Sequence, residues 1–232
     1  MKPILVFAVF FLAGMSLNAQ ESKWSAGPIG FFGQSKFTHN DSPSEYLNQL
    51  AYQVGGFCQY AWTERLSVRM GLGYSKAKGG YKGQVPGITF PGLPTLEGEK
   101  YEVQFERSDL VVPIDLMFDL GKADNKGLYV LFGPALGIKL ERKTLRTVYF
   151  PGSPEQQTYS QSANYPRVDL LGTLGLGYAF QIGSKSQIFV QPRLSTNIPG
   201  NVLDFLSQDN GGETGNVTVY WYGVDLGVAT RF

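Results

Sequence analysis

The carboxyl-terminal segment of the chain alternates between two kinds of residue. Large, mostly apolar side chains occupy every second position from Tyr220 to Phe232. The positions between them hold small residues, one tryptophan, Asp225 and Arg231. Because successive side chains of a β-strand point to opposite faces, this period of two predicts a strand with one apolar face and one mixed face. The same division recurs in residues 166–180 and 110–120.

Eight runs of this kind follow one another: 24–36, 51–62, 66–78, 103–120, 128–141, 165–181, 187–198 and 218–232. The connections alternate in length, with short ones at 63–65, 121–127 and 182–186 and long ones at 37–50, 79–102, 142–164 and 199–217. Outer-membrane barrels combine an even number of strands with short periplasmic turns and long external loops. The pattern therefore predicts an all-β fold, an eight-stranded antiparallel up-and-down transmembrane β-barrel with short periplasmic turns, long extracellular loops and both termini in the periplasm.

Glycine indicates which face of the barrel meets lipid. A soluble eight-stranded barrel would turn its apolar side chains inward around a ligand cavity. Here the opposite face is rich in glycine, which a water-exposed face does not need but a narrow interior does, because small residues make room for large ones. We therefore expect the apolar face to contact lipid. The glycines of the predicted lumen face are Gly55, Gly71, Gly73, Gly133, Gly137, Gly175, Gly177, Gly223 and Gly227.

The amino terminus has the order of features of a secretory signal peptide. Lys2 precedes an apolar stretch over residues 4–17, and Asn18-Ala19 supplies a small-residue exit. We predict a signal peptide at 1–19 and a barrel domain at 20–232. Cys58 is the only cysteine, so no intramolecular disulfide is expected. The formal net charge is only +1, which argues against nucleic acid as a partner.

Several segments carry a family resemblance. They are the signal ending at Gln20, the stretches 110–116 (LVVPIDL) and 131–137 (LFGPALG), and the terminal residues 227–232. Together they resemble the porin-like, PorT-like outer-membrane β-barrel family. The resemblance implies an integral barrel in contact with outer-membrane lipid. Phe232 resembles the aromatic last residue that the outer-membrane assembly machinery recognises, so the resemblance implies that machinery as a partner and Phe232 as the assembly signal.

The predicted lumen face carries basic and acidic residues in nearly equal number. Buried charges are costly unless they are paired and hydrogen-bonded, so we expect a salt-bridge network that fills the lumen. The alternative is a relay for protons or ions, or a pair of carboxylates for acid–base chemistry. The residues of the predicted network are Arg69, Asp109, Asp115, Asp119, Lys139, Glu141, Arg167, Asp169, Arg193, Asp225 and Arg231.

Two further classes of function stay open, a lipid-modifying outer-membrane enzyme and a small-solute channel. Such an enzyme needs a nucleophile and a positioned base, usually histidine. His39 is the only histidine, and it lies beside Asp41 and Ser42 in a polar loop, where such clusters are common. No metal-binding motif is present. We therefore predict no catalytic residue, no metal site and no cofactor.

The long loops are the more promising surface for function. The second and third contain the triplets 90–92 and 150–152, both Phe-Pro-Gly, with further aromatic residues nearby such as Tyr81 and Tyr149. Exposed aromatic residues can mark a contact surface, but strands 3 to 6 could also simply continue as hairpins whose aromatic residues pair across strands. We predict a non-enzymatic protein whose external loops mediate contact, adhesion or envelope assembly, with an envelope protein as a candidate partner.

Overall fold

The computed structural model describes residues 23–38, 45–84, 100–121, 127–149, 156–163, 168–197 and 218–232. The predicted signal peptide, His39, both Phe-Pro-Gly triplets and Arg167 lie outside these residues, so those predictions stay predictions. The strands are β1 (Trp24–Thr38), β2 (Glu45–Ala61), β3 (Leu66–Gln84), β4 (Lys100–Asp119), β5 (Leu128–Tyr149), β6 (Gln156–Ala163), β7 (Val168–Ile182), β8 (Ser186–Asn197) and β9 (Thr218–Arg231).

The strands form one closed antiparallel ring of eight positions. Neighbours in sequence pair with each other except for β6 and β7, which both pair with β5, and β9 pairs with β1 to close the ring. β5 is long enough to pair with two strands, because its residues 128–138 face β7 and its residues 142–149 face β6. β6 and β7 therefore share one position in the ring. The predicted eight-stranded barrel is confirmed, and the predicted strand at 165–181 corresponds to β7.

The polar sequence of β6, QQTYSQSA, explains why its strand character was not predicted. A run without alternating apolar residues lacks the period that marks a strand. β6 forms because the outer half of β5 supplies a paired edge from Arg142 to Tyr149.

Much of the predicted second and third loops is in fact strand. β3 and β4 remain paired up to Gln84 and Lys100, and β4 and β5 up to Lys100 and Tyr149. Of the two interpretations of these loops, continued hairpins are therefore what the described residues adopt. We call the parts of β3 to β6 at residues 76–84, 100–108, 140–149 and 156–163 the outer hairpins.

The outward face of the ring is apolar. Phe32, Leu174 and Leu226 expose 66%, 60% and 57% of their surface. Such a continuous apolar band is stable in lipid and not in water. Trp24 and Trp62 lie at its periplasmic end, and an outer girdle at its other end is formed by Tyr52, Tyr74, Tyr220 and Tyr222. No helix in the described part of the chain has the length and hydropathy of a membrane-spanning helix.

Glycines on the inner face make room for large lumen side chains. A methyl group at Gly177 would overlap the ring of Tyr129, and one at Gly227 would overlap the ring of Phe189. Both rings are almost fully buried. Gly177 and Gly227 therefore make room for large lumen side chains, as the sequence predicts.

A bulge in β5 corrects one predicted lumen residue. Ser108 faces Glu141 and Asp109 faces Lys139, so Leu140 has no partner of its own in β4. An extra residue in one strand reverses the alternation beyond it. Glu141 is therefore exposed, and its predicted position in the lumen is wrong. Arg142 and Val148 face inward instead.

The carboxyl end generates a prediction about assembly. The Phe232 amide donates to the Trp24 carbonyl at 3.3 Å, whereas β9 is paired with both β1 and β8 along most of its length. Deleting Phe232 should thus leave the sheet intact but deplete the protein from the outer membrane, as measured by cell fractionation and heat-modifiable migration on gels. Phe232→Tyr keeps an aromatic terminus and should behave like the unchanged protein. If the protein without Phe232 reaches the outer membrane at normal levels, Phe232 is not the assembly signal.

Candidate functional site

The centre of the lumen holds two arginines and two aspartates, which we call the first quartet: Arg69, Asp115, Arg193 and Asp225. They come from β3, β4, β8 and β9. Arg69 and Asp115 are direct cross-strand partners, and Arg193 Nη1 lies 3.4 Å from Asp225 Oδ1. Arg69 exposes 2% of its surface and Asp225 none. The formal charges of the first quartet sum to zero, which lowers the cost of burying them.

Glutamine and tyrosine side chains add hydrogen bonds to the first quartet. Gln191 Nε2 donates to Asp225 Oδ2 at 2.5 Å, while Gln191 Oε1 accepts from Arg69 and from the Tyr129 hydroxyl at 3.2 and 3.1 Å. Arg69 also donates to Gln59 Oε1 through Nε and Nη2, and Arg193 Nη2 donates to Gln53 Oε1 at 3.0 Å. The sequence-based prediction considered charged residues only and missed these partners. These partners could have been found from the sequence, because alternation puts them on the inner face of their strands.

Aromatic rings hold the guanidinium groups of the first quartet. The Arg69 Cζ atom lies 4.6 Å from the ring centre of Phe57 and 4.5 Å from that of Phe189. Arg193 Cζ lies 4.4 Å from the ring centre of Phe31. A guanidinium group is weakly hydrated and interacts favourably with ring faces, so these contacts offset part of its loss of water.

A second quartet lies nearer the outer end of the lumen and consists of Arg107, Asp109, Lys139 and Asp169. Arg107 Nε is 2.6 Å from Asp109 Oδ2, and Arg107 Nη1 is 2.7 Å from Asp169 Oδ2. Lys139 Nζ is 3.0 Å from Asp169 Oδ1. The charges of this quartet also sum to zero. Arg107 was missed although it lies on the inner face of β4, because the alternation of this strand was read only from Asp109 onward.

Apolar layers close the lumen on both sides of the quartets. The layer on the periplasmic side consists of Phe57, Met117, Tyr129, Leu131, Phe189 and Ala229. The outer layer includes Phe31 and Trp221, which pack against Arg193 and Arg107, and continues beyond them with Phe37, Val103, Phe105 and Val219. Within the first quartet the remaining space has room for about one water molecule. Asp115 Oδ1 and Arg193 Nε, which have no protein partner, border this space and could bind such a water.

Three of the predicted network residues that the structure describes do not join either quartet. Asp119 is at the periplasmic end of β4, where its Oδ1 accepts from the Gly121 amide at 2.8 Å. Arg231 is exposed at the end of β9, so its predicted place in a buried network is wrong. The physical reason is that strand alternation gives the direction of a side chain but not its depth in the barrel. Glu141 is excluded by the bulge described above.

The outward face of the outer hairpins carries exposed ion pairs. Glu106 forms a salt bridge with Lys76 and lies 3.6 Å from Lys78, and Lys82 lies 3.5 Å from Glu45. The hydrogen bond and charge of Lys76 lower the pKa of Glu106, and Glu106 raises the pKa of Lys76 in return. Exposed pairs of this kind contribute little to stability. Each pair brings opposite charges together on this outward face.

The inner face of the outer hairpins is aromatic and basic. The ring centre of Tyr81 lies 6.2 Å from that of Tyr101 and 5.9 Å from that of Phe105. Arg142 Cζ lies 5.5 Å from the ring centre of Phe105, and Arg146 Cζ lies 5.5 Å from that of Tyr101. The aromatic residues pack on the outer apolar layer of the lumen. This inner face is the second candidate site.

Metal ligation and catalysis have no candidate constellation among the residues described. No group of three or more histidine, cysteine or acidic side chains is placed to hold a metal ion there. Cys58 is exposed on the outward face of β2, in the apolar band. The carboxylates of the second quartet form salt bridges with Arg107 and Lys139. Acid–base chemistry would instead use two carboxylates paired with each other.

A comparison with protein families agrees with the barrel fold. Residues 18–199 match a family model described as outer membrane protein beta-barrel domain. Similar solved structures include the Neisserial surface protein A, NspA (11% identity, 91% of this chain and 98% of that chain covered, TM-score 0.42), and Ail of Yersinia pestis (13%, 92% and 100%, 0.37). The outer membrane protease OmpT from Escherichia coli is also similar (9%, 94% and 99%, 0.38). No curated protein sequence matches the chain.

The first quartet generates a prediction about stability. Arg193→Met should leave Asp225 buried without its cation and lower the free energy of unfolding by about 3 kcal/mol. Arg231→Met and Arg65→Met, both at exposed positions, should each change it by about 0.5 kcal/mol or less. Urea unfolding in detergent or lipid measures all three. Combining Arg193→Met with Asp225→Leu should recover part of the loss, and equal small losses throughout would mean that the quartet is solvated.

The filled lumen generates a prediction about conductance. Two neutral quartets between apolar layers leave no space for a continuous column of water along the described interior. Protein reconstituted in planar bilayers should show no stable porin-sized openings. Heat-modifiable migration of the same preparation serves as the control for folding. Steady large openings in a folded sample would favour the channel alternative.

Proposed function

This chain belongs to the outer membrane protein beta-barrel domain family and is an outer-membrane protein of Gram-negative bacteria, and we propose that it is a non-enzymatic barrel whose outer hairpins mediate contact with another component of, or outside, the envelope. The membrane-spanning part serves as the anchor. The outer hairpins supply the contact surface.

The unequal lengths of the strands carry this proposal. A transmembrane β-strand needs roughly 9 to 11 residues. β8 and β9 have 12 and 14 residues, whereas β3, β4 and β5 have 19, 20 and 22. From Tyr74 in the outer girdle, β3 continues to Gln84, which is about 33 Å along the strand at about 3.3 Å per residue. Crossing the membrane does not require this extension, so it supports a role outside the membrane.

The interior supports a binding role more than transport or catalysis. The side chains of the quartets are engaged with each other and with glutamines, and the apolar layers separate them from both ends of the barrel. A lipid-modifying enzyme would need a base, and the only histidine of the chain is His39. The surface that stays available for a partner in this arrangement is that of the outer hairpins.

Trimming the outer hairpins tests the proposal. Residues 80–104 and 145–160 would each be replaced by a two-residue Asn-Gly turn, which suits a β-hairpin, while a control variant carries the same turn in place of residues 63–65. The trimmed protein should still reach the outer membrane but lose the envelope proteins or cell surfaces that the full chain binds, as measured by cross-linking in intact cells and by adhesion of whole cells.

The control variant should retain those contacts. If the trimmed variant is folded and keeps every contact of the full chain, the proposed function is wrong. A change in the acylation of membrane lipids that depends on the protein, measured by mass spectrometry of extracted lipid, would instead favour the enzyme alternative.

A further inference from the structure

We propose that the first quartet binds one water molecule as a fixed part of the barrel interior, and that this water joins Asp115 of β4 to Arg193 of β8 and Asp225 of β9. The proposal concerns the lumen and does not depend on the contact function proposed for the outer hairpins.

Three buried polar atoms of the first quartet have no hydrogen-bond partner among the residues that the structure describes. They are Asp115 Oδ1, Asp225 Oδ1 and Arg193 Nε. Asp225 Oδ1 lies 3.4 Å from Arg193 Nη1, which permits charge attraction, but no hydrogen bond joins the two atoms. Asp115 exposes 6% of its surface, Asp225 none and the Arg193 side chain 10%. A buried polar atom without a partner is costly, so three of them in one quartet point to a further bound group.

The three side chains border one small cavity. Its size matches about one water molecule. The apolar layers on either side of the quartets separate this cavity from both ends of the barrel. Two other buried atoms without a partner among the described residues, Arg107 Nη2 and Trp221 Nε1, do not border the cavity. The unpartnered atoms of the first quartet are therefore the ones that a single small molecule can reach together.

The hydrogen-bonding character of the three atoms matches that of a water molecule. Asp115 Oδ1 and Asp225 Oδ1 are acceptors, and a water molecule has two O–H groups to donate to them. Arg193 Nε is a donor, and the water oxygen accepts from it. A buried water typically makes about three hydrogen bonds. One water thus satisfies all three atoms and keeps none of its own O–H groups unpaired.

The charges around the cavity disfavour an ion in place of water. A cation would lie beside the guanidinium groups of Arg69 and Arg193, and an anion would lie beside the carboxylates of Asp115 and Asp225. Because the four formal charges cancel, neither kind of ion gains a net attraction that offsets the loss of its own hydration. A neutral molecule that both donates and accepts is favoured instead, and the size of the cavity limits it to water.

The water adds a second link across the first quartet. Gln191 already connects Arg69 with Asp225 by accepting from one and donating to the other. A water that donates to Asp115 and Asp225 connects β4 with β9, and its bond from Arg193 includes β8. The carboxylate of Asp115 is then held from two directions, since Arg69 is its direct cross-strand partner on β3.

A crystal structure of the full chain, at a resolution that shows ordered water, tests the proposal. We expect density for one water within hydrogen-bonding distance of Asp115 Oδ1, Asp225 Oδ1 and Arg193 Nε. Protein refolded and crystallised in rubidium chloride or in sodium bromide should show no anomalous signal at this position, although the ions are available while the interior closes. A rubidium signal there would overturn the proposal in favour of a cation, and a bromide signal would overturn it in favour of an anion.

Two variants of one residue separate the hydrogen bond from the charge. Asp115→Asn and Asp115→Leu both remove the charge, but only asparagine keeps an oxygen that accepts from the water. Oxygen-17 relaxation of the full chain in detergent micelles counts water molecules of long residence time. The count should fall by one in Asp115→Leu and stay unchanged in Asp115→Asn, and heat-modifiable migration confirms that both variants are folded.

Two results would contradict the bound water. One is an unchanged count of long-lived water in folded Asp115→Leu. The other is a crystal structure of the unchanged chain in which Arg193 Nε donates directly to Asp115 Oδ1 and no water density lies between them. The unchanged chain decides the question by itself if the leucine variant does not fold.

Discussion

Closure of the sheet is the constraint on which the rest of this structure depends. In lipid no water is available to unpaired backbone groups, so each strand must be hydrogen-bonded on both sides through the membrane. Eight positions meet this requirement with a narrow ring, and the interior must then be filled by side chains. The overlaps that methyl groups would make at Gly177 and Gly227 follow from this narrowness. Tyr129 and Phe189 occupy the space that those glycines leave.

The narrow interior also explains why the buried charges occur in neutral groups. An unpaired ion in such a space would lose its hydration without compensation. In the first quartet two arginines meet two aspartates, and Gln191 links both kinds of residue by donating to Asp225 and accepting from Arg69. In the second quartet Arg107 binds both carboxylates. Ring contacts on Arg69 and Arg193 replace part of the lost solvation.

The sequence could predict the features that strand alternation and connection length determine, and no others. Alternation alone puts Arg69, Asp115 and Asp225 on one face, and the lengths of the connections lead to the eight-stranded ring that the structure confirms. Alternation does not show how deep in the barrel a side chain lies. For this reason Arg231 was assigned to the buried lumen, although it is exposed at the end of β9. It does not single out neutral partners either, so Gln53, Gln59 and Gln191 were overlooked. β6 could not be recognised because its pairing depends on β5 and not on its own pattern.

Beyond the membrane the strands continue as the outer hairpins, and one bulge determines which side chains face inward there. If β5 paired regularly with β4 through Leu140 and Glu141, with no bulge, its alternation would continue and would turn Glu141 and Lys143 inward and Arg142 and Arg146 outward. The inner face of the outer hairpins would then carry one acidic and one basic residue in place of two arginines. The register shift between Ser108 and Asp109 therefore changes the charge of the inner face of the outer hairpins. It leaves the membrane-spanning part of β5 unchanged. The bulge therefore lets the inward face change in chemistry from the lipid-embedded part of β5 to its outer part without any change in the pairing of the embedded part.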